Sequence, residues 1–186
     1  MTAIARQTPA PIASAHRIRP FTAADVPAYA ALIAALSPAD RRLRFHSAAA
    51  PAAHEQLRAM MLGPHAAGGF LVESDDGTLR GVAHAAFGGT EERAEFGIVV
   101  EAPFRRRGFG GAMTDALLRA LAARGVTQID AYTLWENLPA AALLRSRGFS
   151  GRHDGGGSVR WTLRPRADYA ASIIVVPPDA VRCVRA

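Results

Sequence analysis

The chain predicts a mixed α+β fold, a largely antiparallel sheet with helices on both faces. Three observations carry that prediction. Period-2 and period-3.6 patterns alternate irregularly, as strand, helices, three strands, helix, strand, helix and two strands, which does not suit a regular doubly wound sheet. Asp75-Asp76-Gly77-Thr78 and Gly88-Gly89-Thr90 are tight-turn signals between consecutive strand patterns, so those neighbours run antiparallel. Residues 105–111 read Arg-Arg-Arg-Gly-Phe-Gly-Gly, between an apolar run ending at Val100 and an amphipathic helix pattern beginning at Ala112.

The elements follow in order. Ile18 alternates with Arg17 and Arg19 in a short strand, and Pro20 puts it at a sheet edge or strand end. Thr22-Ala-Ala-Asp25 is a capping-box pattern, followed by Val26, Tyr29, Ile33 and Leu36 at helical spacing. Ser37 caps a second short helix with Pro38 at its first position, running through Leu43 and Phe45. A third helix covers roughly residues 52–62 and ends before Gly63-Pro64. Strands are expected at 70–73, 79–87 and 94–100. The helix after the glycine turn carries Met113, Ala116, Leu117, Ala120 and Leu121 on one face and stops at Arg124-Gly125. Residues 128–134 form a strand and 138–147 a helix ended by Gly148. Residues 149–153 and 158–163 form a hairpin around Gly155-Gly156-Gly157.

Three segments follow from this: residues 1–15 as a disordered leader, 16–165 as one domain, and 166–186 as a tail. Ile173-Ile174-Val175-Val176 in that tail would suit an extra strand or an arm to a partner subunit. Arg6 and the lack of an adequate apolar core argue against a signal peptide in the leader. No apolar run approaches a membrane span. The lone Cys183 cannot form an internal disulfide, so a reducing, cytoplasmic setting is expected.

The balance is basic, formally +6, which suits anionic ligands. All 22 basic residues are arginine, which excludes a Gly-Lys-Ser/Thr phosphate loop and a Schiff-base lysine. Aromatic and basic residues do not interleave as nucleic-acid binding requires. His54-Glu55 starts like a zinc-protease helix, but Arg58 stands where the second histidine belongs, so no metal site is expected. Cys183 has no activating partner, and His16, His46, His65 and His153 are scattered.

The glycine turn is the strongest functional signal. It would aim bare N–H groups and the positive end of a helix at an anion, with guanidinium groups beside it. Met113 stands where the dinucleotide fingerprint needs its third glycine, so that motif fails.

Glu95-Phe-Gly-Ile-Val-Val, then Arg105-x-x-Gly108-x-Gly110, Asn137 and Arg147-Gly148-Phe149 together resemble the GNAT superfamily of acyl-CoA-dependent N-acetyltransferases. The likeness covers roughly residues 16–164. A narrower one, carried by Leu36-Ser37-Pro38-Ala39-Asp40, Arg44-Phe45, Ala94-Glu95-Phe96 and Glu136-Asn137, is to the acetyltransferase domain of bacterial Pat-type protein lysine acetyltransferases.

The resemblance implies a twisted sheet with splayed central strands, acetyl-CoA as cosubstrate, and direct transfer to an amine, with a protein lysine as acceptor. Backbone groups of Ile98, Val99 and Val100 would pair with the pantetheine arm, and an N–H near Val99 or Val100 would hold the oxyanion. The N–H groups of Arg105, Arg106, Arg107, Gly108, Phe109, Gly110 and Gly111 would cradle the pyrophosphate. Asn137 would either offer its amide to the cofactor arm or simply cap a helix. Glu95 would be the general base, with Glu91, Glu92 and His84 as weaker substitutes.

The family's tyrosine acid falls at Leu144 here, and Tyr132 lies on the preceding strand, so the thiolate is expected to leave without a dedicated tyrosine. A small-molecule amine acceptor and a non-catalytic acyl-CoA-binding regulator are the alternatives. The chain is expected to act as a monomer or homodimer, away from nucleic acid and membranes.

Overall fold

The computed structural model describes residues 16–47 and 54–165. The leader, the tail and Cys183 lie outside the described residues. The sheet has seven strands in the order β1-β2-β3-β4-β5-β7-β6. They are β1 (His16–Pro20), β2 (Ala66–Ser74), β3 (Leu79–Phe87), β4 (Arg93–Val100), β5 (Gln128–Leu134), β6 (Ser150–His153) and β7 (Ser158–Leu163). Every neighbouring pair is antiparallel except β4 and β5. β1 is an edge strand and ends at Pro20, where the missing N–H breaks no ladder bond.

The helices are α1 (Val26–Ala35), α2 (Pro38–Phe45), α3 (His54–Leu62), α4 (Phe109–Ala123) and α5 (Leu138–Ser146). Apolar side chains alternate along the strands and so supply both faces of the sheet. On one face Leu71, Val82 and Val99 pack against Tyr29, Leu32 and Ile33 of α1 and Leu57 and Met61 of α3. On the other, Ala83, Ala85, Ala94, Phe96, Ile129 and Trp161 meet Met113, Leu117, Leu118 and Leu121 of α4 and Ala141 and Leu144 of α5. Leu144, at the family's tyrosine position, is thus a core residue.

Two elements differ from the sequence expectation. β2 begins at Ala66, four residues before the expected strand. Its start is Ala-Ala-Gly-Gly, weak in β-propensity, and pairing with Ala86, Ala85 and His84 of β3 overrides that, with a register shift between Ala66 and Gly68. Gly69 packs closely there: a Cβ would lie 2.8 Å from Cε of Met61 and 3.3 Å from the Ala83 carbonyl oxygen. In the second case α4 begins at Phe109, three residues before the expected Ala112, directly after Gly108 at φ 83.

Candidate active site

The site begins where β4 and β5 part. They pair in parallel from Arg93–Gln128 to Phe96–Ala131 and no further, although both strands continue. Beyond that point residues 97–100 stay with β3 and residues 132–134 stay with β7. A cavity of about 500 Å³ occupies the opening, lined among others by Glu95, Gly97 and Ile98 of β4, Tyr132 of β5, Asn137 before α5, and Arg44 and Phe45 of α2.

Which backbone groups face the opening follows from two bonds. Gly88 N–H donates to the Arg93 carbonyl and Glu101 N–H donates to the Arg80 carbonyl. The β3–β4 register between them is unbroken, so odd-numbered residues of β4 turn their polar backbone groups to β3 and even-numbered ones away. Ile98 and Val100 therefore face the gap, while Val99 is committed to β3. The Val100 carbonyl accepts from Nε of Arg105 at 2.9 Å, which leaves its N–H toward the opening.

The glycine turn closes one end. A short 3₁₀ turn (Ala102–Phe104) is followed by Arg105 in extended conformation, Arg106 at φ 61 and Gly108 at φ 83. Gly108 is the N-cap of α4 and supplies no side-chain cap, so the first-turn N–H groups of Phe109, Gly110 and Gly111 point outward without one. A Cβ on Gly108 would meet nothing within 4 Å, and one on Gly110 would meet only Leu143, Ile98 and Val100 at 3.7 to 4.0 Å. The space beside both glycines is open, as approach of a phosphate to bare backbone requires.

The seven residues of the turn are not equivalent. Arg105 uses its N–H on the Ala102 carbonyl and its guanidinium on Asp40 at 2.7 Å. Arg106 and Arg107 are exposed and form no ion pair among the described residues, and Arg107 lies over the Phe104 ring at 5.3 Å. Phe109 is buried in the core. Gly111 makes room for Arg147, whose Nη2 would be 2.2 Å from an added Cβ and whose guanidinium is held by Asp115. That contact joins the glycine turn to the Arg147-Gly148-Phe149 motif.

Asn137 caps α5 through Oδ1, which accepts from Ala140 N–H at 3.2 Å, and its amide NH2 remains for the cavity it lines. The two roles weighed for it are therefore compatible.

Glu95 is exposed and lines the cavity from β4, on the sheet face that carries Gly97 and Val99. It has no ion pair or side-chain hydrogen bond among the described residues, whereas its neighbour in register, Asp130, is held by Arg160, Arg93, Gln128 and Thr162. Burial raises the Asp130 pKa but those donors outweigh it and bring it down to about 2, so Asp130 stays ionised and is no candidate base. Glu91 and Glu92 are exposed at the opposite end of β4, off the cavity. His84 does line it, across β3 from Gly97, but is buried; burial and then the Arg44 charge push its pKa down to about 3.

Sequence reasoning missed the Arg44–His84 contact. Nη2 of Arg44 is 3.3 Å from Nδ1 and 3.4 Å from Nε2 of His84. The signal available was Gly97, where a Cβ would lie 2.8 Å from both groups. Among the described residues no three His, Cys, Asp or Glu side chains gather as metal ligands would, and no helix is long and apolar enough to cross a membrane.

The family model described as the acetyltransferase (GNAT) family matches residues 34–149, which span α2, the parted strands, the glycine turn and α5. The chain belongs to that family. Its enzyme class is accordingly N-acetyltransferase, an acyltransferase. No curated protein matches the chain by sequence. Among solved structures, the GNAT domain of S. lividans PAT superposes with a TM-score of 0.70 at 17% identity, covering 80% of this chain and 90% of that one. Spermidine N-acetyltransferase from Vibrio cholerae, in complex with CoA and spermine, gives 0.66 at 16%, covering 83% and 97%. The ribosomal-protein-S18-alanine N-acetyltransferase from Escherichia coli gives 0.62 at 20%, covering 80% and 93%. At these identities the likenesses concern the GNAT fold.

Proposed function

We propose that this GNAT enzyme takes its acetyl group from acetyl-CoA and transfers it directly to an amine in a ternary complex. One observation carries the reading: the parting of β4 and β5 opens a passage with a phosphate-sized cradle at one end and an unpaired carboxylate, Glu95, on its wall. The residues present fit the coenzyme. The N–H groups at the start of α4, with Arg106 and Arg107, would hold the pyrophosphate. Backbone groups of Ile98 and Val100 would pair with the pantetheine arm as an added strand does, and the Asn137 amide would donate to it. Bound there, acetyl-CoA supplies an activated thioester.

The residues of the chain do the rest. An amine with pKa near 10.4 is neutral in about one molecule in a few thousand at pH 7, so a base that removes the ammonium proton recovers roughly 4 kcal/mol. Glu95 is suited to that task because no internal cation or donor competes for its carboxylate. The Ile98 N–H, turned to the gap and nearer Glu95 along β4, would stabilise the oxyanion. Leu144 cannot serve as an acid, so the leaving sulfur takes its proton from the amine nitrogen or from water.

The Pat-type likeness supports a protein lysine as acceptor. A second reading, a small amine, is favoured by the cavity itself, which Arg44 and Phe45 of α2 line together with Glu95. The lone Cys183 supports a cytoplasmic setting, and either oligomeric form is compatible with this site.

The test is thiol release from acetyl-CoA with a protein extract and with a small-amine panel, comparing wild type, Glu95→Gln and Gly108→Asp. Turnover that depends on Glu95 is expected. Tight acetyl-CoA binding with no turnover on any acceptor would instead identify an acyl-CoA-binding regulator. The absence of lysine simplifies the intact-mass control, since a mass increase cannot come from lysine self-acetylation.

A further inference from the structure

One charge on the cavity wall is not used by the chemistry above. Arg44, at the C-terminal end of α2, lies against Gly97 of β4 and His84 of β3 and lines the cavity. Several other half-buried arginines meet carboxylates: Arg19 meets Asp25 and Glu73, Arg80 meets Glu101, Arg147 meets Asp115. Arg44 meets none among the described residues. Its Nε is buried without a hydrogen-bond partner, and the side chains recorded against it are uncharged: the neutral imidazole of His84, the Phe45 ring at 4.9 Å and the buried Tyr29. A half-buried cation in such surroundings is costly unless an anion meets it.

Glu95 stands two residues along the same strand on the same face, about 7 Å from Gly97 at a rise of roughly 3.3 Å per residue. A base and an uncompensated guanidinium thus flank one stretch of cavity wall. An acceptor with a cationic amine and an anionic group a few bonds apart matches both.

We infer that Arg44 is a specificity-determining residue, and that the acceptor is a small primary amine bearing a carboxylate, an amino acid, whose carboxylate pairs with Arg44 while its amine lies at Glu95. This rests on the N-acetyltransferase reading and names its substrate class. The ammonium gives one proton to Glu95, and its nitrogen lone pair forms the bond to the acetyl carbon. The carbon–sulfur bond breaks with its electron pair on sulfur, and the second nitrogen proton ends on that sulfur. The products are an N-acetylamino acid and the free thiol, and Glu95 returns its proton to water.

The test measures kcat/KM by thiol release for L-amino acids against their carboxamides, with a lysine-containing peptide as a third arm. It uses the wild type, Arg44→Gln and Arg44→Lys. Acetyl-CoA binding is followed separately by calorimetry. A charge-assisted guanidinium–carboxylate pair predicts that the wild type prefers acid over amide roughly 10- to 100-fold. That ratio should fall to near one in Arg44→Gln and survive in part in Arg44→Lys. Because it is a ratio within each variant, partial loss of folded protein cancels. Amides or the peptide accepted as well as acids by the wild type, or an acid preference that persists in Arg44→Gln, would overturn the inference. Acetyl-CoA binding with no turnover of any amine would overturn it and leave the coenzyme site standing. Absence of acetyl-CoA binding would overturn the reading beneath it as well.

Discussion

Asp40 of α2 forms an ion pair with Arg105 at 2.7 Å, so the helix over the cavity is tied to the loop that begins the coenzyme cradle. Arg105 also bonds the Val100 carbonyl, which puts α2, the end of β4 and the cradle on one side chain. On the opposite bank of the gap Arg42 of α2 pairs with Glu136, one residue before the α5 cap. Two exposed or half-exposed pairs hold α2 across the parting, each worth about 1 kcal/mol or less.

Asp40 also accepts from the Ser37 hydroxyl at the helix start, so Asp40→Ala removes part of a cap as well as the pair. The expected loss is about 1–2 kcal/mol, a fall of roughly 2–8 °C in melting temperature. Combined with Arg42→Ala in a double-mutant cycle, it should give a coupling above about 0.5 kcal/mol, because both substitutions release one helix. Strict additivity in thermal or urea unfolding would show that the two ties are independent.

Gly108→Asp tests the cradle. At φ 83 an aspartate is tolerated better than most side chains, and a Cβ there meets nothing, so the fold should lose only about 1 kcal/mol. A carboxylate beside the first turn of α4 would repel the pyrophosphate and weaken acetyl-CoA binding about tenfold or more. The stabilisation that bound coenzyme gives in a thermal melt should shrink with it. Gly108→Asn, neutral and of similar shape, should retain most of the affinity in the same titration.

What could be read from the sequence depended on the range of the interactions involved. The strands at 79–87, 128–134 and 158–163 and the Ser37 cap are set by local periodicity and turn chemistry, and the structure has them at those bounds. The start of β2 was hidden because alanine and glycine carry little local preference and β3 decides the pairing. Val99 cannot be told from Ile98 and Val100 in the sequence, because the facing of backbone groups depends on a register visible only once β3 is paired. Arg105 looked like its two neighbours until α2 brought Asp40 to it. Arg44 and His84 lie 40 residues apart, and only the packing of α2 against Gly97 joins them.

Glu95→Gln removes the proton acceptor while keeping its shape. Acetyl-CoA affinity should be unchanged, and kcat/KM for the acceptor should fall by about 10²–10⁴. The pH profile discriminates a base from a merely structural residue. The variant should depend on acceptor that arrives neutral, so its log kcat/KM should climb with unit slope up to the amine's own pKa. Matching profiles in wild type and variant would remove Glu95 from the proton's path.

His84 links the site to stability in acid. In the fold it stays neutral down to about pH 3, because burial and then the Arg44 charge disfavour its cation; in the unfolded chain it takes a proton near pH 6.5. Between those values the unfolded state binds the extra proton. The contribution is therefore fully present above pH 6.5 and is lost as pH falls toward 3, by about 2.5 kcal/mol between pH 7.5 and 4.5. Asp25 acts in a lower window. Its carboxyl is held down to about 2, first by the Arg19 hydrogen bond, so what it adds is present above 3.8 and lost only below that. Urea unfolding at pH 7.5, 5.5 and 4.5 separates the two, because His84→Gln cannot titrate. The wild type should lose about 2.5 kcal/mol more than the variant over that span. Parallel losses would mean that His84 is protonated in the folded protein, which would put two cations together at the cavity wall and require a resident anion between them.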